Sequence, residues 1–211
     1  MNVEQTTGLV LRTRPLTETS LIVQWLTPDL GRVATVAKGA RRPKSSFRGQ
    51  LDLFYIADFS FARSRRSELH TLREVKLLEA NALLRRDMQH LEQVSYCAAL
   101  IEQNTETETP LPGLFELFVA LLKELPHQPA QPQTIFAFEM KLLEELGQRP
   151  DLSETKLSPG AKQLLEKFCE LDWPGIFRLR LSKPQETELR QFLHGFMIFH
   201  LGRLPKTRHP V

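Results

Sequence analysis

The hydrophobic period of the sequence changes near residue 80, and this change limits the possible folds more than any other feature. Before it, five short stretches rich in β-branched and aromatic residues are separated by turn residues. After it, apolar residues recur at the three- and four-residue spacing of helices. We therefore predict an α+β protein with a β domain over residues 1–80 and a helical domain over residues 81–211.

The five predicted strands indicate a small closed barrel, because most of them have no helix between them. A five-stranded barrel that binds nucleic acid is most often an OB-fold, although the strand count alone leaves an SH3-like barrel open. Phe59 and Phe61 share one face of the fourth strand and are expected in the barrel core, whereas Tyr55 or Phe47 is the better candidate for a base contact. The predicted strands cover residues 6–13, 20–27, 32–38, 51–62 and 69–78.

The second region is predicted to be a bundle of four or five helices around one core. Ser158 and Pro159 are typical of a helix start, since Ser caps the first turn and Pro suits the first helical position. Residues 173–181 are predicted to form a short connection. The predicted helices cover residues 79–102, 114–125, 134–146, 158–171 and 183–201, and Phe115, Phe118, Phe136 and Phe138 are expected in the bundle core.

Positive charge is concentrated in the β domain. Residues 1–73 hold 12 Lys and Arg against 6 Asp and Glu, a balance of +6, and the remainder holds 16 against 19, a balance of −3, which together give the net +3. The predicted loop after the third strand has no acidic residue before Asp52 and carries Lys38, Arg41, Arg42, Lys44 and Arg48. A cationic loop leaving the end of a strand suits a phosphate backbone, so we expect a nucleic-acid-binding surface here.

Signatures of catalysis, metal binding and membrane insertion are lacking in the sequence. It contains no P-loop, G-x-S-x-G, CxxC or HExxH motif, so we expect no enzyme activity, no cofactor and no metal. The two cysteines lie in apolar helical runs and are expected in the core, and His70 and Glu108 are expected at the solvated surface. No stretch approaches the length of a membrane span and no signal peptide is recognisable, so a cytoplasmic protein is expected.

Specific motifs along nearly the whole chain resemble those of the bacterial recombination mediator family RecO. The resemblance is densest in residues 8–53 and looser after residue 80. Its landmarks are Gly8–Pro15, Glu18–Val23, Thr27 with Gly31–Arg32, Ala37–Ser45, Gly49 with Leu51, Leu72–Val75, Phe138–Leu152, Leu157–Ala161 and Leu201–Arg208. Many family members carry a four-cysteine zinc module after the segment that corresponds to Leu146–Leu152, and this chain has no cysteine there, so we expect no zinc and a shortened connection.

The resemblance implies an OB-fold joined to a helical domain and a nucleoid-associated protein that binds single- and double-stranded DNA. It also implies annealing of complementary strands and a partnership with RecR that helps RecA replace single-strand-binding protein, whose C-terminal tail docks on the mediator. The implied DNA contacts are basic side chains of the loop, of two strands and of the C-terminal segment: Lys38, Arg41, Arg42, Lys44 and Arg48; Arg12 and Arg32; Arg203, Lys206 and Arg208. An RNA- or ribosome-associated factor and a nuclease with an unrecognised carboxylate site are the alternatives.

Overall fold

A computed structural model describes residues 3–205 and divides the chain into two compact units. The first unit contains the residues up to Ala82 together with the later segment Thr105–Val119, and the second contains Leu83–Asn104 and the residues from Ala120 onward. The division of the chain into domains at residue 80 stays a prediction.

The first unit is a closed five-stranded barrel. Around the barrel the strands follow the order β1-β2-β3-β5-β4, and β3 and β5 are the parallel pair. This arrangement confirms the predicted α+β fold with an N-terminal OB-type barrel. The strands are β1 Val3–Pro15, β2 Leu21–Thr27, β3 Gly31–Ala37, β4 Ile56–Ala62 and β5 Leu69–Glu79.

Stacked aromatic rings form the centre of the barrel. The rings of Trp25 and Phe59 are parallel, with centroids 4.1 Å apart, and Phe61 stacks on Phe59 at 5.7 Å. The indole nitrogen of Trp25 donates a hydrogen bond of 2.9 Å to the buried hydroxyl of Thr35, so the one polar group of the ring is satisfied inside the core. The predicted core positions of Phe59 and Phe61 are confirmed.

The predicted fourth strand begins five residues later than expected. Residues 51–55 form turns, and Phe54 takes a positive φ of 65°, which strand geometry does not allow. The backbone N–H of Phe54 donates to Val10 and its side chain is buried. Asn81 also has a positive φ, and its side chain donates to the Phe54 carbonyl, so β5 ends just before that turn.

The segment that follows the first long helix packs on the barrel, although it lies beyond residue 80. Thr107 pairs with Arg32 in an isolated parallel bridge, and the Glu108 N–H donates to the Arg32 carbonyl at 2.9 Å. A Cβ atom on Gly31 would lie 2.1 Å from the Thr109 carbonyl oxygen, so glycine is required at the start of β3. Phe118, expected in the helical bundle, makes an edge-to-face contact with Phe54 of the barrel unit.

The helical region contains six α-helices and two short 3₁₀-helices among the described residues. The first helix begins at Met88 rather than at residue 79, because the Asp87 carboxylate caps it by accepting from the Gln89 N–H. A helix at 173–178 replaces the predicted connection, since the Asp172 carboxylate accepts from the Gly175 N–H. The helices are α1 Met88–Asn104, α2 Pro112–Glu124, α3 Pro132–Glu145, α4 Pro159–Glu170, α5 Trp173–Arg178 and α6 Lys183–Leu201, with 3₁₀-helices at Ala82–Arg86 and Leu125–His127.

Three of the side chains predicted in the helical core are buried in the second unit, whereas Phe115 is half-buried and belongs to the first unit. Phe136 and Phe138 of α3 are buried, and so is Cys97 of α1, whereas Cys169 is half-buried. Ser158 caps α4 as predicted, because its hydroxyl accepts a hydrogen bond from the Ala161 N–H.

Candidate nucleic-acid interface

The loop between β3 and β4 presents five cationic side chains to solvent. We call residues 38–50 the basic loop. It is a succession of tight turns, in which the N–H of Arg42 donates to Gly39, that of Ser45 to Arg42 and that of Arg48 to Ser45, at 3.0–3.2 Å. The exposed cations of this loop are Lys38, Arg41, Arg42, Lys44 and Arg48.

Phe47 fixes the basic loop to the barrel. Its side chain is only 8% exposed and belongs to the same apolar cluster as Trp25 and Phe59. The prediction that Phe47 contacts a base is therefore wrong, because its ring fills the barrel core. Tyr55, the other candidate, is half-buried and packs against this cluster. A buried aromatic side chain and regular turn hydrogen bonds thus hold the basic loop against the barrel.

The charges of the basic loop are not neutralised by carboxylates. Among residues 3–205, no Asp or Glu forms an ion pair with any of its five cations. The guanidinium of Arg41 donates to the Thr17 carbonyl at 3.2 Å, and that of Arg48 to the Pro43 carbonyl at 3.3 Å. Carbonyl partners orient a guanidinium without cancelling its charge, and its remaining N–H groups can bind phosphate oxygens.

The end of β1, the start of β2 and the end of β3 lie at the same edge of the barrel, next to the basic loop. Pro15 of β1 is opposite Leu21 of β2, which is opposite Ala37 of β3. Because neighbouring strands lie about 4.8 Å apart, the end of β1 is about 10 Å from the start of the loop. Arg12 and Arg14 are exposed near this end of β1. The site predicted from the sequence included Arg12 but omitted Arg14. Because Arg14 comes two residues after Arg12 in the same strand, the two-residue period of a β-strand could have indicated it.

Arg32 lies at the opposite end of β3, where its side chain binds another segment of the protein. Lys38 comes six positions later in the chain, a distance of about 20 Å along an extended strand. Its guanidinium donates to the hydroxyl of Thr105 at 2.8 Å and to the Thr105 carbonyl at 2.5 Å. The structure thus places Arg32 apart from the basic loop, in contact with the segment that packs on the start of β3.

The predicted C-terminal contacts lie outside the barrel unit. Arg203 follows α6 in the second unit and is exposed. Lys206 and Arg208 lie outside the described residues.

A polar network around the buried His70, which the sequence did not reveal, occupies the barrel end that contains Arg32. Arg63 donates to both carboxylate oxygens of Glu4, at 2.7 and 2.9 Å, and also to Glu108. His70, 2% exposed, accepts from the Ser64 N–H through Nδ1, so its Nε2 carries the proton and donates to Glu108 at 2.7 Å. The hydrogen bonds from Arg63 lower the pKa of the Glu4 carboxyl. The expectation that His70 is solvated is therefore wrong, whereas Glu108 is exposed as expected.

Comparison with known proteins identifies the family to which this fold and loop belong. A family model described as Recombination protein O N terminal matches residues 1–81, which include all five strands. A second, described as Recombination protein O C terminal, matches residues 85–155. The chain belongs to the RecO family.

Three relatives in the RecO family are 28–33% identical in sequence to this chain. The DNA repair protein RecO of Bacillus pumilus is 28% identical over 216 residues, covering 97% of this chain and 83% of that protein. Its counterpart in Bacillus subtilis is 33% identical over 147 residues, 69% of this chain and 56% of that protein. The protein of the same name in Rhodopirellula baltica is 33% identical over 143 residues, so the aligned part spans only 53% of that relative.

No group of three or more metal-binding side chains is placed to hold an ion in the part of the chain that the structure describes. The connection between α3 and α4 covers residues 146–158, and in it Asp151 accepts from the N–H of Ser153. That the protein holds no zinc stays a prediction. None of the helices within residues 3–205 combines the length and the apolar character of a membrane span.

Proposed function

We propose that the protein is a DNA repair protein that binds single- and double-stranded DNA through the basic loop and mediates recombination without a covalent step. The observation that carries the proposal is the row of five exposed cations without carboxylate partners among the described residues. Membership in the RecO family, whose relatives are named DNA repair proteins, supports the same conclusion.

The mechanism follows from charge and geometry. Lys38, Arg41, Arg42, Lys44 and Arg48 would bind backbone phosphates and release condensed counterions, which favours association at low salt. Neutralised phosphates repel a second strand less, so complementary bases can meet and anneal. Arg12 and Arg14 would extend the phosphate path along the outside of β1.

The partners in this function are proposed from the family resemblance. In this scheme the protein acts in the bacterial cytoplasm at the nucleoid, where RecR and the C-terminal tail of single-strand-binding protein would bind it. Together with RecR it would help RecA to replace single-strand-binding protein on single-stranded DNA. Arg203, Lys206 and Arg208 would contribute further DNA contacts.

The salt dependence of binding to a fluorescent oligonucleotide tests the proposal. Five phosphate contacts on single-stranded DNA give a log–log slope of about −3.5, at about −0.7 per contact. The double variant R41E/K44E removes two of these contacts, so we expect a slope of about −2 and at least about tenfold weaker binding at low salt. Fluorescence anisotropy between 50 and 300 mM salt would measure both quantities.

A matched control separates a local effect from a general change in charge. Lys123 and Lys156 are exposed in the second unit, and K123E/K156E changes the net charge by the same amount as R41E/K44E. We expect this control to bind DNA with the wild-type slope. Equal losses in the two variants, or a wild-type slope near zero, would contradict the proposed interface.

A competition experiment between RNA and DNA of matched sequence tests the alternative. Preference for RNA would favour an RNA-associated factor.

A further inference from the structure

The hairpin between β4 and β5 carries a second group of exposed cations. Residues 63–68 form its tip, which contains three arginines and no acidic residue before Glu68. We call this segment the hairpin tip. Arg65 and Arg66 are exposed, and neither forms an ion pair with another described residue.

The acidic side chains around the hairpin tip already have other partners. Glu4 and Glu108 bind Arg63, and Glu108 also binds His70. The Glu68 carboxylate accepts a hydrogen bond from the hydroxyl of Thr107 at 3.1 Å. Because Arg63 is held in place by Glu4 and Glu108, it fixes the base of the hairpin and leaves the next two arginines available for a ligand.

An open cavity lies beside these two arginines. It has a volume of about 590 Å³ and is lined by Arg63, Ser64, Arg65, Arg66, Leu69 and Thr71. The hydroxyl of Ser64 accepts from the Arg66 N–H at 3.3 Å, which bends the tip around the cavity. A concave surface with guanidinium and hydroxyl donors suits a phosphate group.

The hairpin tip lies at the barrel end opposite the basic loop. The chain enters β4 shortly after the basic loop and leaves it at the hairpin tip, so the seven-residue strand separates the two. An extended strand of this length spans about 20 Å. The polar network of Glu4, Arg63 and His70 occupies the same end as the tip, near the start of β3.

We propose that Arg65 and Arg66 of the hairpin tip bind the phosphate backbone of a second nucleic-acid strand while the basic loop holds the first. This inference rests on the proposed function and extends it, because a protein with two separate cationic sites can hold two strands at the same time. Bringing two strands to one molecule raises their effective concentration and so the rate at which they meet.

A strand-capture assay tests this inference directly. A biotinylated thymidine oligonucleotide on beads is loaded with protein and washed, and a fluorescent oligonucleotide of the same sequence is then added. The two strands cannot pair, so only the protein retains the second one. We expect R65E/R66E to load on the beads within about twofold of the wild type but to capture at least about fivefold less of the second strand.

Two further variants make the result specific. R65K/R66K keeps the charges and is expected to restore capture, whereas R41E/K44E should load on the first strand at least about tenfold more weakly than the wild type. Thermal unfolding followed by circular dichroism would check that each variant is folded. Wild-type capture by R65E/R66E would overturn the inference, and so would an equal loss of first-strand binding, because that result makes the hairpin tip part of a single continuous site. Failure of the wild-type protein to bind any strand would refute the proposed function itself.

Discussion

Replacing Phe47 with alanine tests the link between the barrel core and the basic loop. Truncation of a buried Phe costs about 3–5 kcal/mol of unfolding free energy, through lost burial and the cavity that remains. At 8% exposure Phe47 is the most exposed of the buried residues in its cluster, so we expect a loss near the lower end, about 3 kcal/mol. With a urea dependence of about 1.5 kcal/mol per molar, the unfolding midpoint of the barrel falls by about 2 M.

Urea unfolding followed by tryptophan fluorescence would measure this change. The chain has two tryptophans, Trp25 in the barrel and Trp173 in the second unit, so a W173F background leaves one probe, in the cluster that contains Phe47. The F47L variant keeps most of the apolar volume and is expected to cost about 1 kcal/mol.

The same substitution should weaken DNA binding, because the basic loop loses the side chain that orders it. Ordering such a loop upon binding costs affinity, and a loss of about 1 kcal/mol corresponds to about fivefold weaker binding of a single-stranded oligonucleotide by F47A. A loss of stability below about 1 kcal/mol for F47A would refute the placement of Phe47 in the core. Unchanged DNA affinity together with the expected loss of stability would show that the anchor does not order the cations.

Two further predictions test the barrel end that lies opposite the basic loop. G31A should destabilise the barrel by more than about 2 kcal/mol, since φ at this glycine is 67° and the new Cβ would collide with the Thr109 backbone. The control G49A has a φ of 74° but open space around it, so it should cost only about 1 kcal/mol. Urea unfolding would measure both costs, and equal costs would contradict the clash. Arg63 lowers the pKa of Glu4 below its ordinary value of 4.5, so the stability from this pair is present above about pH 4.5 and is lost as the pH falls through the lowered pKa of the folded state. We therefore expect the urea midpoint of the wild-type protein to fall more between pH 7 and pH 3 than that of E4Q, and identical falls would contradict the contribution of this pair.

Local patterns in the sequence were sufficient for the type and order of most elements. The alternation around Phe59 and Phe61 identified the core face of β4, and Ser158 with Pro159 marked the start of α4, because these features depend on neighbours within a few residues. The start of β4 was misplaced because the positive φ of Phe54 depends on its contacts with β1 and α2, which are distant in sequence.

The sequence by itself determined the change from strands to helices and the concentration of cations between Lys38 and Arg48. Only the tertiary structure decided which side chains near those cations are buried and which distant residues they bind. Closure of the barrel turns Phe47 inward, and the packing of residues 105–109 on the start of β3 gives Arg32 and His70 partners 73 and 38 residues away in the chain. Hydrophobic period is a property of adjacent residues, whereas such partnerships exist only after distant segments have been brought together, so no local pattern records them.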